Sequence, residues 1–169
     1  MPSLAIYLPA ALAGGLLAAC ASASTSGGGG DAAALKIALE DEYRAEATYS
    51  AIIESFGDVR PFSNIIEAER RHASRVKAEM DRLGIAYDQA NPFIGNIDPP
   101  ATLLEACEAG IVAERENIEL YDRILPTIED PGVRATLSDL QWASRERHLP
   151  AFQRCVSRGG TPGRGRHGN

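Results

Sequence analysis

The chain has 169 residues, enough for one domain, and its 23 acidic and 17 basic residues give a net charge of −6. All 23 acidic residues and 14 of the basic ones lie between residues 31 and 157, so this segment has a net charge of −9. That charge argues against nucleic acid as a partner, because binding to a phosphate backbone depends on Lys and Arg. About 127 residues remain for the folded part, enough to bury a core without help from metals or disulfides.

The first 30 residues contain no charged side chain and resemble the export signal of a bacterial lipoprotein. Residues 4–19 are apolar, and Leu17-Ala18-Ala19-Cys20 resembles a lipobox, which implies that residues 1–19 are removed and Cys20 is lipidated. Residues 20–30, rich in Ser and Gly, are predicted to form a flexible tether. Because no Lys or Arg precedes the apolar stretch, a plain secretory signal or an uncleaved anchor stays open. In each case we expect the folded part outside the cytoplasm, in the periplasm or at the cell surface.

Four helical blocks are predicted in the segment 31–157. The first begins after Asp31, a good N-cap residue, and the second begins near Pro61, which suits a first helical turn. A glycine or a proline follows the end of each block. Each carries apolar residues three and four positions apart, and no stretch alternates as a strand would. The predicted blocks are residues 31–57, 61–84, 101–125 and 132–157. These blocks predict an all-α fold.

The lengths of the connections predict how the blocks pack. Short loops join the first block to the second and the third to the fourth, so both pairs are expected to form antiparallel hairpins. The connection between the hairpins, about fifteen residues rich in Pro, Gly, Asn and Asp, is long enough to cross a bundle. Pro150 lies inside the fourth block and predicts a kink, since it removes a helical hydrogen bond and crowds the carbonyl of Glu146. Residues 158–169 are predicted to be a disordered tail.

Five acidic or imidazole side chains occupy positions where the apolar stripes predict core. Burying several carboxylates is costly unless a cation compensates them. A divalent metal ion does so and binds both carboxylate oxygens and imidazole nitrogens. The two halves of the chain repeat the pattern, because Glu42 precedes Tyr49 by seven residues and Glu114 precedes Tyr121 by seven. The five residues are Glu42, Glu69, His72, Glu114 and His148.

These motifs resemble the ferritin-like superfamily, and within it the family of domains of unknown function 2202. The resemblance rests on residues 42–49, 62–72, 110–114 and 143–152 and covers most of residues 35–158. It implies a ferritin-like four-helix bundle with a metal site, expected to hold iron, formed by Glu42, Glu69, His72, Glu114 and His148. Oxidation of Fe(II), or reduction of peroxide or oxygen, is the activity that such a site implies.

The chain departs from the full di-iron pattern at Arg145, where a second Glu-x-x-His motif would need a glutamate. A guanidinium group cannot bind a metal ion, so Arg145 either turns outward or pairs with Glu114 and replaces one metal ion. Two other functions therefore stay open: a metal-binding or storage module without turnover, and a metal-free bundle that scaffolds or senses. The sequence is compatible with a homodimer.

The two cysteines of the helical segment are predicted to form a disulfide. Cys107 precedes Glu114 by seven residues and Cys155 follows His148 by seven, so each shares a helix face with a predicted ligand. In antiparallel helices this places both sulfurs about 10 Å from the site, on the same side. An extracytoplasmic compartment permits oxidation; the alternative is two buried free thiols.

Overall fold

The computed structural model describes residues 28–161, which form an all-α bundle of four long helices. The first hairpin consists of α1, Gly28–Phe56, and α2, Phe62–Leu83. The second pairs α3, Leu103–Ile124, with a continuous fourth helix of three parts. These parts are α4, Pro131–Ala143, a π-helical segment, Ser144–His148, and α5, Leu149–Ser157. The described residues contain no strand, and the predicted arrangement of two antiparallel hairpins joined by a long crossover is confirmed.

The predicted signal, Cys20, the tether up to residue 27 and the tail from residue 162 lie outside the described residues. Within the described part, none of the helices combines the length and the apolar character needed to cross a bilayer. At the C-terminal end, residues 158–160 form a turn, and Gly160 is buried against Leu104. Gly160 is therefore packed on α3 and residues 158–160 are ordered as a turn, whereas the sequence placed all three in the disordered tail.

The start of α1 also differs from the prediction. The helix begins at Gly28 and not after Asp31, so residues 28–30, assigned to the tether from the sequence, are helical. Asp31 is buried, and its carboxylate accepts hydrogen bonds from the backbone N–H groups of Glu129 and Asp130, at 2.9 and 3.0 Å. The side chain therefore ties the start of α1 to the loop between α3 and α4, because a long-range pair of backbone donors took the place of the local N-cap contact.

The fourth helix contains a π-helical segment immediately before Pro150, where the sequence predicts a kink. The backbone N–H of Leu149 bonds to the carbonyl of Ser144, five residues earlier. Pro150, which has no N–H to give to Glu146, is the second residue of α5, in the first turn, where a missing donor costs little. Steps of four residues from Ser144 to His148 and Phe152 overshoot an α-helical turn by about 40° each. The wider π turn absorbs this drift, so all three side chains are buried on the face toward the bundle axis.

The crossover, residues 84–102, is held against the first hairpin by polar contacts. Gly84, with a φ of 68°, closes α2 through N–H bonds to the carbonyls of Met80 and Asp81. The Tyr43 hydroxyl donates to the carbonyl of Asp88 at 2.7 Å. Asn91 donates to the carbonyl of Tyr43, also at 2.7 Å. A capping box of Thr102 and Glu105 then starts α3.

The core is divided into two apolar layers with a polar layer between them. One layer surrounds Leu35, Met80 and Leu140 at the crossover end of the first hairpin. The other surrounds Ile52, Phe62 and Phe152 and contains a disulfide between Cys107 and Cys155. The five predicted metal ligands lie between these layers, and the apolar packing on either side along the bundle shields them from bulk water.

Removal of the disulfide by Cys107→Ala with Cys155→Ala should lower the free energy of unfolding by about 4 kcal/mol, since the bond closes a loop of 48 residues. Guanidinium unfolding of the oxidised protein and of the double variant measures the difference. A reducing agent should destabilise the native protein and leave the double variant unchanged. Two free thiols in the native protein, found by thiol trapping before non-reducing gels, would contradict the bond.

Gly110→Ala should destabilise the protein by about 1–3 kcal/mol, although alanine gains about 1 kcal/mol of helix propensity. A Cβ at this position would lie 2.6–2.8 Å from three ring atoms of Phe152. The ring cannot retreat, because it is fully buried against Tyr49 and Phe62. Guanidinium unfolding gives the cost. In a Phe152→Leu background the cost should fall; an equal cost in both backgrounds would show that the contact is not the cause.

Candidate metal centre

The five predicted ligands converge in the polar layer, contributed by all four helices of the bundle. Glu42 comes from α1, Glu69 and His72 from α2, Glu114 from α3 and His148 from the π-helical segment. None is more than 9% exposed. The apolar stripes predicted these positions as core, and the structure places each of them there.

Glu69 lies at the centre of the group and contacts both histidines through different oxygens. Its Oε2 lies 2.9 Å from Nδ1 of His72, and its Oε1 lies 3.2 Å from Nδ1 of His148. The two imidazole rings stack with their centroids 5.6 Å apart. Each histidine contacts one further carboxylate: His72 Nδ1 is 3.4 Å from Glu42 Oε2, and His148 Nδ1 is 3.5 Å from Glu114 Oε1. The group is thus two Glu/His pairs that share one carboxylate.

Two buried tyrosines complete the pairs, crosswise between the halves of the chain. Tyr121 of α3 donates its hydroxyl to Glu42 Oε1, and Tyr49 of α1 donates to Glu114 Oε1, both at 3.1 Å. Glu42 therefore contacts Tyr121 and His72 through different oxygens, whereas Oε1 of Glu114 contacts both Tyr49 and His148. The seven-residue Glu-to-Tyr spacing detected the tyrosines, but it did not predict that each would bond the glutamate of the other half.

Protons on the histidines balance part of the buried negative charge. Burial by itself lowers the pKa of His72, but hydrogen bonds to Glu42 and Glu69 raise it to about 9. Burial likewise opposes the charge on His148, whereas Glu114 and Glu69 raise its pKa to about 10. Both rings therefore hold a second proton at neutral pH in the metal-free protein, so a bound cation is not the only way to offset these carboxylates.

The three carboxylates differ in their proton affinity. Burial, reinforced by the charge of Glu69, raises the pKa of Glu42 to about 8. Burial also raises the pKa of Glu114. For Glu69 burial acts in the same direction, but the close approach of the His148 and His72 imidazoles overcomes it and lowers the pKa to about 2. The central carboxylate is therefore ionised at neutral pH, as a metal ligand must be.

The donors of this group fit a divalent transition metal. One ligand atom each from Glu69, His72 and His148 lies within 4.8 Å of the other two. Carboxylate oxygen together with imidazole nitrogen is a donor set for iron, zinc or manganese. Nδ1 of His148 is buried without a hydrogen-bond partner in acceptable geometry, so it is free to bind a metal ion once its proton is lost. The group can therefore bind metal, with Glu42 and Glu114 as flanking donors that each reach one histidine.

Arg145 turns away from this group. Its guanidinium lies 3.4 Å from Asp122, and 47% of the side chain is exposed. The alternative that Arg145 neutralises Glu114 is therefore wrong. The neighbouring Glu146 is also exposed and supplies no ligand in its place. Within the described residues, Glu69 is the one carboxylate that contacts both histidines.

Two openings lead toward the group from opposite sides. On the histidine side, a groove of about 440 Å³ is bordered by Arg71, Trp142 and Arg147, with both imidazole rings in its wall. Trp142 is 53% exposed, and the guanidinium of Arg147 lies over its ring. On the carboxylate side, a narrower cleft opens between α1 and α3. Sequence reasoning missed both openings, because they depend on gaps between helices and not on the pattern along one helix.

The comparisons with known proteins support the fold. No family model matches the chain, and no curated protein matches it. The structure is similar to that of the hypothetical protein MJ0754 from Methanococcus jannaschii, with a TM-score of 0.68 and 20% identity over 78% of this chain and 82% of that one. It is also similar to the conserved hypothetical protein rv2844 from Mycobacterium tuberculosis, with a TM-score of 0.65 and 17% identity over 83% of this chain and 98% of that one. At these identities the likeness establishes a shared helical fold and nothing about activity.

Proposed function

We propose that this protein is a ferritin-like iron-binding protein that oxidises Fe(II) with peroxide or oxygen. The observation that supports the proposal is the shared carboxylate of Glu69, which contacts a histidine through each of its oxygens, at 2.9 and 3.2 Å. Two Glu/His pairs that share one carboxylate can bind two neighbouring ions of the same metal.

In this proposal the glutamates and histidines would bind the ions, and the tyrosines would hold the carboxylates in position. Glu69 would be shared by the ions, while Glu42 with His72 and Glu114 with His148 would each serve one side. Tyr121 and Tyr49 hold the flanking carboxylates in place through their hydroxyls, at 3.1 Å. When bound, iron supplies a one-electron Fe(II)/Fe(III) couple per ion, so that two ions together match the two-electron reduction of peroxide to water.

Anaerobic titration with Fe(II) tests the binding part of the proposal. Trp142 is the single tryptophan of the chain and shares a groove with both histidines, so its fluorescence should report on a bound metal ion. We expect saturable quenching that His72→Ala weakens and that His167→Ala, which removes the third histidine of the chain, leaves unchanged. Stopped-flow mixing of the loaded protein with peroxide and with oxygen then measures oxidation. If the protein binds Fe(II) but neither peroxide nor oxygen oxidises it, the protein is a metal-storage module and the proposed oxidation is wrong.

A second candidate is a metal-free bundle with a scaffolding or sensing role, and one observation favours it. The raised pKa values of His72 and His148 let protonated imidazoles offset the buried carboxylates without any metal ion. Absence of Fe(II), Zn(II) and Mn(II) uptake by the purified protein would establish this candidate over the first.

We also propose that the protein acts outside the cytoplasm, attached to a membrane through a lipid on Cys20. The disulfide between Cys107 and Cys155 supports an oxidising compartment. Mass spectrometry of the protein purified from the membranes of a bacterial host tests the anchor. The expected N-terminus is an acylated Cys20, and a Cys20→Ala variant should be recovered unacylated.

A further inference from the structure

The cleft between α1 and α3 ends at the carboxylate side of the metal centre. It has a volume of about 190 Å³, enough for several water molecules or a partly hydrated cation. Its lining includes the buried carboxylates of Glu42, Glu69 and Glu114. Asp41, which is half-buried, Glu116, which is exposed, and the buried Asn117 also line it.

Asn117 carries an oxygen that no protein group satisfies. The residue is 9% exposed, its Nδ2 donates to Asp41 Oδ2, and its Oδ1 is buried without a hydrogen-bond partner. A buried amide oxygen almost always has a partner. An amide oxygen beside a carboxylate is a ligand pair for a hard divalent cation or for its bound water.

The charge of the cleft is only partly offset by a neighbouring cation, Arg44, whose charge acts to lower the pKa of Asp41 against the effect of burial. Arg44 also lines the cleft, but its guanidinium is paired with Glu40 at 2.7 Å. The opening on the histidine side has the opposite character, because Arg71 and Arg147 border it and neither forms a salt bridge among the described residues. Cations are therefore attracted to the cleft between α1 and α3 and repelled from the other opening.

We propose that Asp41, Glu116 and Asn117 form an entrance site that binds divalent cations transiently and passes them to the Glu/His centre. This inference rests on the proposed metal centre, since an entrance needs a destination. The cation would first exchange water for the carboxylates of Glu116 and Asp41, would next reach the unpartnered oxygen of Asn117, and would then move inward to Glu42 and Glu114. An entrance site changes the rates of loading and release together and leaves the affinity of the final site unchanged.

Stopped-flow loading of the full-length protein with Co(II), followed by Trp142 fluorescence and by visible absorbance, tests the role of charge. Asp41→Asn and Glu116→Gln should each slow association by about threefold to tenfold. An EDTA chase should show dissociation slowed by a similar factor, so that the Kd stays within about twofold of wild type. Glu119→Gln, which removes an exposed charge of the same helix outside the cleft, should keep wild-type rates.

A steric test uses the same helix. Ala113 lines the cleft and is exposed, whereas Ala109, one turn earlier and also exposed, does not line it. Ala113→Phe should obstruct the cleft and slow loading at unchanged stability and Kd, and Ala109→Phe should not. Circular dichroism and guanidinium unfolding establish that both variants are folded.

The outcomes separate this inference from the proposed function. Wild-type loading rates in Asp41→Asn, Glu116→Gln and Ala113→Phe, with Co(II) bound at normal affinity, overturn the entrance site and leave the metal centre standing. A weaker Kd in Asp41→Asn at an unchanged association rate makes Asp41 a ligand of the final site and also overturns it. Absence of Co(II) binding to the wild-type protein overturns both.

Discussion

Glu69→Gln should weaken binding of divalent metal ions by at least about 100-fold, more than any other single substitution of similar size. Loss of a group that merely orients a ligand already costs metal affinity about 10- to 100-fold, and Glu69 is the carboxylate that both histidines contact. The substitution keeps the shape of the side chain but removes its charge from both sides of the centre.

The matched control is Glu67→Gln, on the same helix. Glu67 is exposed and paired with Arg70 at 2.6 Å, so its loss removes the same charge and leaves the centre intact. Calorimetry with Zn(II), and quenching of Trp142 by Co(II), measure the affinity of both variants. Circular dichroism shows whether each is folded. Equal affinity of Glu69→Gln and Glu67→Gln would mean that the ions bind to the acidic surface and not between the histidines.

The fold was predictable because its signals are local. Proline and glycine mark the ends of the helices, and the apolar periodicity between them decides the fold class without knowledge of any distant residue. Glu42, Glu114 and His148 were also detectable as polar residues within apolar stripes. These inferences needed the pattern along each helix and nothing else.

The details that were missed depend on how the helices are shifted along one another. Asp31 looked like the N-cap of its own helix, but it holds the N–H groups of Glu129 and Asp130, nearly a hundred positions away. The crosswise bonds of Tyr49 and Tyr121 need the same knowledge. Periodicity states which side of a helix faces inward and does not state which residue of another helix stands opposite.

Affinity for divalent metal ions should rise steeply as the pH increases from 6 to 8. Against the effect of burial, contacts within the centre raise the pKa values of His72 and His148 to about 9 and 10 in the metal-free protein, and burial raises that of Glu42 to about 8. At pH 7 the group therefore holds protons that a bound metal ion must displace. Each proton released on binding makes the apparent association constant rise about tenfold per pH unit, and more than one proton should leave.

Titration of Trp142 fluorescence with Zn(II) at several pH values gives the slope. Calorimetry in buffers of different ionisation enthalpy counts the released protons independently. His148→Gln should lower the count, because it removes the group with the highest pKa of the three. A slope near zero would show that the ions bind to carboxylates already ionised at the surface.

The same shifts predict how the stability of the metal-free protein depends on pH. Raised pKa values mean that the folded state holds these protons more tightly than the unfolded chain does. The stabilisation from His72 and His148 is therefore complete below their unfolded pKa of about 6.5 and is lost as the pH rises through 9 and 10. Glu69 acts at the other end of the range: its lowered pKa stabilises the fold above about pH 4.5, and this is lost as the pH falls through about 2.

Metal-free protein should consequently unfold at lower guanidinium concentration at pH 9.5 than at pH 7, and Zn(II) should remove most of this difference. The ion replaces the protons as the positive charge between the carboxylates. It binds most tightly at high pH, where the histidines have lost the protons that compete with it. Guanidinium midpoints at both pH values, with and without Zn(II), measure the effect. A protein equally stable at both pH values without metal would show that the histidines are not charged in the folded state.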